Sequence, residues 1–185
     1  GTDKTFVLGG FAVKARINVL FQHFNVSNTE YGDGFSFANN ATGEIVECAV
    51  KECVITGMDV RGGATVTASG SEFMENGTSG VSCHGANTKA SLTDCTVHHN
   101  GWDGLVAWND AVVDLHGTKT DIHSNKSGGI LTASRAKVNI HLPARHNTSH
   151  DNVEEDRAQE YGGSIANINA DGTFTHAVVA EGDDY

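Results

Sequence analysis

The residues best suited to chemistry fall in one run, "TVHHNGWDGLVAWND" (96–110). It holds His98 and His99, Asp103, and the chain's two tryptophans, Trp102 and Trp108. A histidine can act as a general base and a carboxylate as its orienting partner or as an acid; an indole offers a flat platform for a sugar ring. The pattern recurs downstream. His98, His123 and His150 each stand two positions before an Asn, and Thr96, Asp121 and Thr148 stand two positions further back. Val97 and Ile122 alternate with them as apolar residues, so the polar set should face outward. Stacked, these residues would form a column of imidazoles about 4.8 Å apart, flanked by a Thr/Asp column. His99 and Asp151 would sit at its edge. Such a column could titrate together near pH 6 or take a metal. The alternative is structural, because duplication of a coil propagates residue types on a solvent face without selecting each for chemistry.

Residues placed this way require elements that repeat. Five segments align: "FNVSNTEYGDGFSF" (24–37), "FMENGTSGVSCHG" (73–85), "CTVHHNGWDGLVAWN" (95–109), "TDIHSNKSGGILTAS" (120–134), and "TSHDN" (148–152) with "GGSIANI" (162–168). Each carries an Asn, a Gly-containing turn and a short β-prone strand. The asparagines are Asn28, Asn76, Asn100, Asn125 and Asn152. The first interval is twice the others, so the period is about 24 with one Asn missing near Gly57. Ahead of each Asn the chain alternates. One column is read as Phe24, Cys53, Phe73, Cys95 and Thr120. Columns three, five and seven positions earlier run from Phe21, Val19 and Ile17 to Gly117, Leu115 and Val113, and are apolar or small apart from Thr88. This is a strand pattern repeated once per coil. The period is too short for a propeller blade and contains no helix for a leucine-rich repeat, so a parallel solenoid is expected. A stacked Asn column would hydrogen-bond along the axis while holding a left-handed turn.

Composition agrees. Gly is frequent at 22 residues, Pro occurs once, and Val, Ile, Thr, Ser and Asn dominate, as in an all-β chain with tight turns. The formal net charge of −11 argues against nucleic acid or anionic membranes as partners. No apolar run approaches a transmembrane segment. Five Asn-x-Ser/Thr sequons, at Asn25, Asn40, Asn76, Asn125 and Asn147, are the sole hint of an extracellular or organellar location. The four cysteines read as buried thiols, with Cys53 and Cys95 in one inward column. No Cys-x-x-Cys occurs, so no metal or other cofactor is assigned.

The coil strings over roughly residues 12–170 resemble the right-handed parallel β-helix superfamily, which includes pectate lyases, polygalacturonases, alginate epimerases and the carbohydrate-binding and sugar-hydrolase repeats. "TVHHNGWDGLVAW" and "DIHSNKSGGILTA" are similar to coils of mannuronan C5-epimerases. The resemblance implies the handedness, which spacing alone leaves open. It implies no catalytic set. The epimerase motif Tyr-Gly-Phe-Asp-Pro-His is matched only by "EYGDGF" (30–35), which has Tyr31 and Asp33 but lacks the Pro-His. Arginine is scarce and the chain is acidic, which disfavours polyuronate substrates.

The expectation is a single all-β domain, a right-handed parallel β-helix of about six coils. Regular coils should span 12–140, with an irregular C-terminal cap and acidic tail over 141–185. Two functions fit. One is a non-catalytic scaffold or binding module for a protein partner in a larger assembly or for a glycan, with Trp102, Trp108, His99, Thr96 and Thr148 as contacts. The other is a polysaccharide-acting enzyme (epimerase, lyase or hydrolase) using His98, His123, His150, Asp103 or Asp121.

Overall fold

The computed structural model describes residues 5–15, 18–144 and 148–176. Every element among them is a strand, and no helix is long and apolar enough to cross a membrane. The strands form three sheets. The first runs from Thr5–Leu8 to Ser149–His150 and the second from Phe11–Lys14 to Arg157–Glu160, with seven parallel strands each. The third has seven parallel strands from Asn18–Gln22 to Ser164–Ile168, and Phe174–His176 pairs antiparallel on its last edge. From each strand to its successor in a sheet the chain makes one full turn, so there are about six turns, as the period predicts. Parallel pairing continues to Ile168, so the region after 140 contains one more coil, on whose edge the antiparallel strand pairs.

Alternation puts one face of each strand into a common core. In the third sheet the inward columns contain Ile45, Ala68, Leu92, Leu115 and Ile140, and beside them Val66, Ala90, Val113, Val138 and Ile165. The first sheet contributes Val26, Val50, Phe73, Val97 and Ile122. The expected columns are therefore only partly in register. Phe21 and Leu92, and Val19 and Ala90, are placed correctly, while Ile17 lies outside the described residues. Phe73, however, is level with Val97 and not with Cys95, and the partner of Cys95 in the preceding coil is Ser71. Cys48 and Ser71 hold the places expected for Cys53 and Phe73, five and two positions away. Phe73 is itself a buried residue of its strand, so alternation and residue type do not separate it from Ser71.

The missing Asn is accounted for by Cys53. Its N–H donates to Asn76 Oδ1 (3.1 Å), as the N–H of Asn76 does to Asn100, that of Asn100 to Asn125, and that of Asn125 to Asn152. Cys53 thus occupies the ladder position and does not share a column with Cys95. In the unbroken run Asn76–Asn152 each amide Nδ2 also donates to the next Oδ1, at 2.9–3.0 Å. Asn28 lies beyond Cys53, and its amide bonds to the carbonyls of Tyr31 and Asp33 in its own turn. The left-handed residue is not the Asn but the one before it: Glu75, His99, Ser124 and Asp151 have φ of 54–56°. The chain bends there, and the Asn that follows ties the bend to the next coil.

After the bend comes a column of glycines that lets the coils approach. A Cβ on Gly104 would lie 2.5 Å from Ile122 Cγ2 and 2.9 Å from the carbonyl oxygen of Gly129. All four cysteines remain thiols and are buried. Burial raises Cys53 and Cys95 to about 11 and Cys83 to about 12, which keeps them protonated. Of the sequons, Asn76 and Asn125 are buried in the ladder, Asn25 is half-buried, Asn40 is exposed, and Asn147 lies outside the described residues.

Candidate functional site

The first sheet carries the histidine column in the expected register. His98 pairs with His123 and His123 with His150. Their rings stack at 5.1 and 5.3 Å between centroids, with interplanar angles of 1° and 14°. Carboxylates close both ends. His98 Nε2 lies 2.9 Å from Glu72 Oε1, and His150 lies 3.0 Å from Asp121 and 2.9 Å from Asp151. His99, turned by its left-handed backbone, meets His98 edge-on with Nδ1 atoms 2.7 Å apart. One end and the middle of the stack titrate oppositely. The hydrogen bond that His150 donates to Asp151 raises His150, while burial lowers His123, helped by His98, His150 and His99 and opposed by Asp121. Protonating His123 beside a protonated His150 would place like charges in contact, so the arrangement favours the proton on His150 over His123.

The flanking column is less open than its outward register predicts. Thr96 is half-buried, but Asp121 is 7% exposed and Thr148 1%. Thr148 lies in the bend entering the sheet, and its carbonyl accepts the N–H of Ile122. It is enclosed and cannot serve as a contact surface. Asp121 has His150 lying against it.

The tryptophans belong elsewhere. The bend at His99 carries the chain off the first sheet, so Trp102 and Asp103 sit in the turn and Trp108 ends a strand of the second sheet. The run 96–110 is thus divided between two faces, and no single site unites its histidines with its indoles. Trp102 and Trp108 are 62% and 41% exposed, and both border a groove of about 360 Å³. Ile55, Thr78, Ser82, Val106 and Leu131 complete its walls with Asp103. Asp103 Oδ1 accepts the N–H of Gly128 at 2.8 Å, and burial raises its carboxyl above the ordinary carboxylate range. Asp33 does the same three coils earlier, accepting from Thr56 N–H at 3.1 Å, so "EYGDGF" serves as a turn brace, with Tyr31 projecting into solvent.

Sequence reasoning missed the rest of this face. Asp59, 6% exposed, is held by the guanidinium of Arg61 and lies 3.4 Å from His84 Nε2. The His84 ring in turn lies 5.2 Å from Trp108. The repeat does contain the signal: Cys83 is level with Ala107, so the next residue outward, His84, is level with Trp108. Three side chains on the third sheet, Asp114, His116 and His141, are the set among the described residues close enough to share a metal ion.

Comparison with known proteins bears on the fold. Among curated proteins nothing matches. A solved structure, the A-module of mannuronan C-5 epimerase AlgE6 from Azotobacter vinelandii, superposes with a TM-score of 0.56 at 14% identity, over 88% of this chain and 50% of that one. This chain therefore spans half the length of the module, and the likeness is one of fold. The sequence also matches the family described as the right handed beta helix region over residues 9–152. With three parallel sheets joined coil after coil by an asparagine ladder, the chain belongs to the right-handed β-helix family.

Proposed function

We propose that the chain is a non-catalytic binding module whose second sheet holds a neutral glycan along the groove between Trp102 and Trp108. The observation that carries this reading is the pair of exposed indoles bordering one groove that Thr78 and Ser82 of the preceding coil also line. Indole faces stack on the C–H faces of sugar rings, and hydroxyl and carboxylate groups pair with sugar hydroxyls. The sign of charge selects the class. The groove contains Asp103, the adjoining surface carries Glu154, Glu155 and Glu160, and the chain has a net charge of −11, so a polyuronate would be repelled. Titration of the protein with neutral oligosaccharides (glucans, xylans, mannans) and with oligouronates tests it. Binding should be restricted to a neutral series and weaken by about tenfold or more in both Trp102→Ala and Trp108→Ala. Failure to bind any neutral glycan, or binding indifferent to both changes, refutes it.

A second reading, a polysaccharide-acting enzyme, is favoured by Asp103 within the groove, since burial raises its carboxyl and so shifts it in the direction a general acid requires. Turnover of a bound glycan that disappears in Asp103→Asn would replace the binding reading with this one. Loss of turnover in His123→Ala instead would move the chemistry to the first sheet.

A further inference from the structure

The third sheet carries a cluster that neither reading above uses. On the strand Val112–His116, Val113 and Leu115 enter the core, so Asp114 and His116 project together from the outer face. One coil later, on Lys137–His141, Ile140 is level with Leu115, which brings His141 beside His116. A whole coil separates the two histidines along the chain, which hides the pair from any reading of local sequence.

We propose that Asp114, His116 and His141 form a three-ligand site for a divalent transition-metal ion of the zinc class. Geometry supports this first. One ligand atom from each residue lies within 4.8 Å of the other two. His141 Nε2 and Asp114 Oδ1 are 3.0 Å apart. Two ligands of a tetrahedral ion bound at about 2.0–2.1 Å are separated by about 3.3 Å, so this edge needs only a few tenths of an ångström. The imidazoles of His116 and His141 stack with centroids 4.0 Å apart and planes 18° apart, so the rings are adjacent but must turn out of the stack for their nitrogens to converge on one ion. All three side chains are half-buried, partly shed of water yet open to an ion from outside. A supporting partner is in place: Asn139 Nδ2 donates to Asp114 Oδ1 at 2.9 Å and fixes the carboxylate, as outer partners of metal ligands do.

The ligand set selects the metal. Two imidazoles with one carboxylate suit zinc, cobalt, nickel or copper, whereas calcium and magnesium prefer all-oxygen shells. Three protein ligands leave a fourth position facing solvent, for water or a group from a second molecule. The site lies on a different sheet from the tryptophan groove, so it stands or falls independently of glycan binding.

Cobalt(II) provides the probe. Titration of the full, tag-free chain should produce the visible d–d bands of a four-coordinate site, saturating at one ion per chain and displaced by zinc. His116→Ala and His141→Ala should each weaken binding by roughly 100-fold or more, and Asn139→Ala by about 10-fold. His123→Ala, which alters the other histidine stack, should leave it unchanged. Asp114→Asn keeps the shape and tests the carboxylate should an alanine variant fold poorly, as circular dichroism would reveal. Absence of saturable binding at micromolar metal, binding that survives loss of both His116 and His141, or binding lost in His123→Ala would overturn the proposal.

Discussion

Removing one rung of the asparagine ladder should have a large effect, because Asn100 is fully buried and its side chain makes four hydrogen bonds. Its Oδ1 accepts from the N–H of Asn76 (3.1 Å) and from Asn76 Nδ2 (3.0 Å). Its Nδ2 donates to Asn125 Oδ1 (2.9 Å) and to the carbonyl of Phe73 (3.1 Å). In Asn100→Ala all four are lost while the partners stay buried. Asn125 Oδ1 retains the backbone N–H of residue 100, so its loss is partial. The two donors of Asn76 are left with less, since its N–H then has no acceptor and its Nδ2 keeps only the carbonyl of Val50 at 3.3 Å. At about 1 kcal/mol per bond, with extra for groups left unpaired, the expected loss is about 4 kcal/mol, a large share of a typical domain's roughly 5–15 kcal/mol. Urea denaturation followed by circular dichroism measures it. Asn28→Ala is the internal control, because Asn28 lies outside the continuous ladder and bonds within its own turn. It should lose less than half as much. A loss of under about 1 kcal/mol for Asn100→Ala, or equal losses for the two variants, would show that coil packing and not the ladder ties the bends together.

Other outcomes follow from the same geometry. Gly104→Ala should destabilise by about 2–3 kcal/mol in the same assay, since its Cβ would meet Ile122 and the backbone of the next coil, and a neutral result would mean the coils can separate there without cost. In an NMR titration His150 should protonate above the ordinary value of about 6.5 and His123 below it. The signs oppose. The stability contributed by raised His150 is complete below the unfolded value and fades as pH rises through its folded value. That contributed by lowered His123 is present above the unfolded value and is lost as pH falls through its folded value. Asp151→Asn should bring His150 down, and an unchanged His150 would refute the assigned cause. The four buried thiols should resist alkylation in the native protein and react together on unfolding; a thiol labelled rapidly at neutral pH would contradict its burial.

Much of this molecule is legible in one dimension. A period near 24, with an Asn, a Gly turn and an alternating strand in each unit, dictates a parallel coil, because such strands bury one face only when stacked on their own copies. The histidine column follows for the same reason: each His lies two positions before a ladder Asn, and that short count tolerates variation in coil length elsewhere. The core positions of "TVHHNGWDGLVAWND", namely Val97, Leu105 and Ala107, are likewise set by alternation next to the anchor.

Tertiary structure decided whatever depends on counting across a whole coil or around a bend. Pairing between coils puts Cys53 in the ladder and Ser71 beside Cys95, where alternation and residue type favour Phe73, two positions on and also buried. The left-handed residue at His99 separates histidines from tryptophans that are neighbours in sequence, dividing one apparent site between two faces. Pairing of neighbouring coils does the reverse on the third sheet, bringing His141 to Asp114 and His116. Alternation specifies whether a side chain points inward or outward; only the turns, where inserted residues accumulate and backbone angles change sign, specify which outward residues meet.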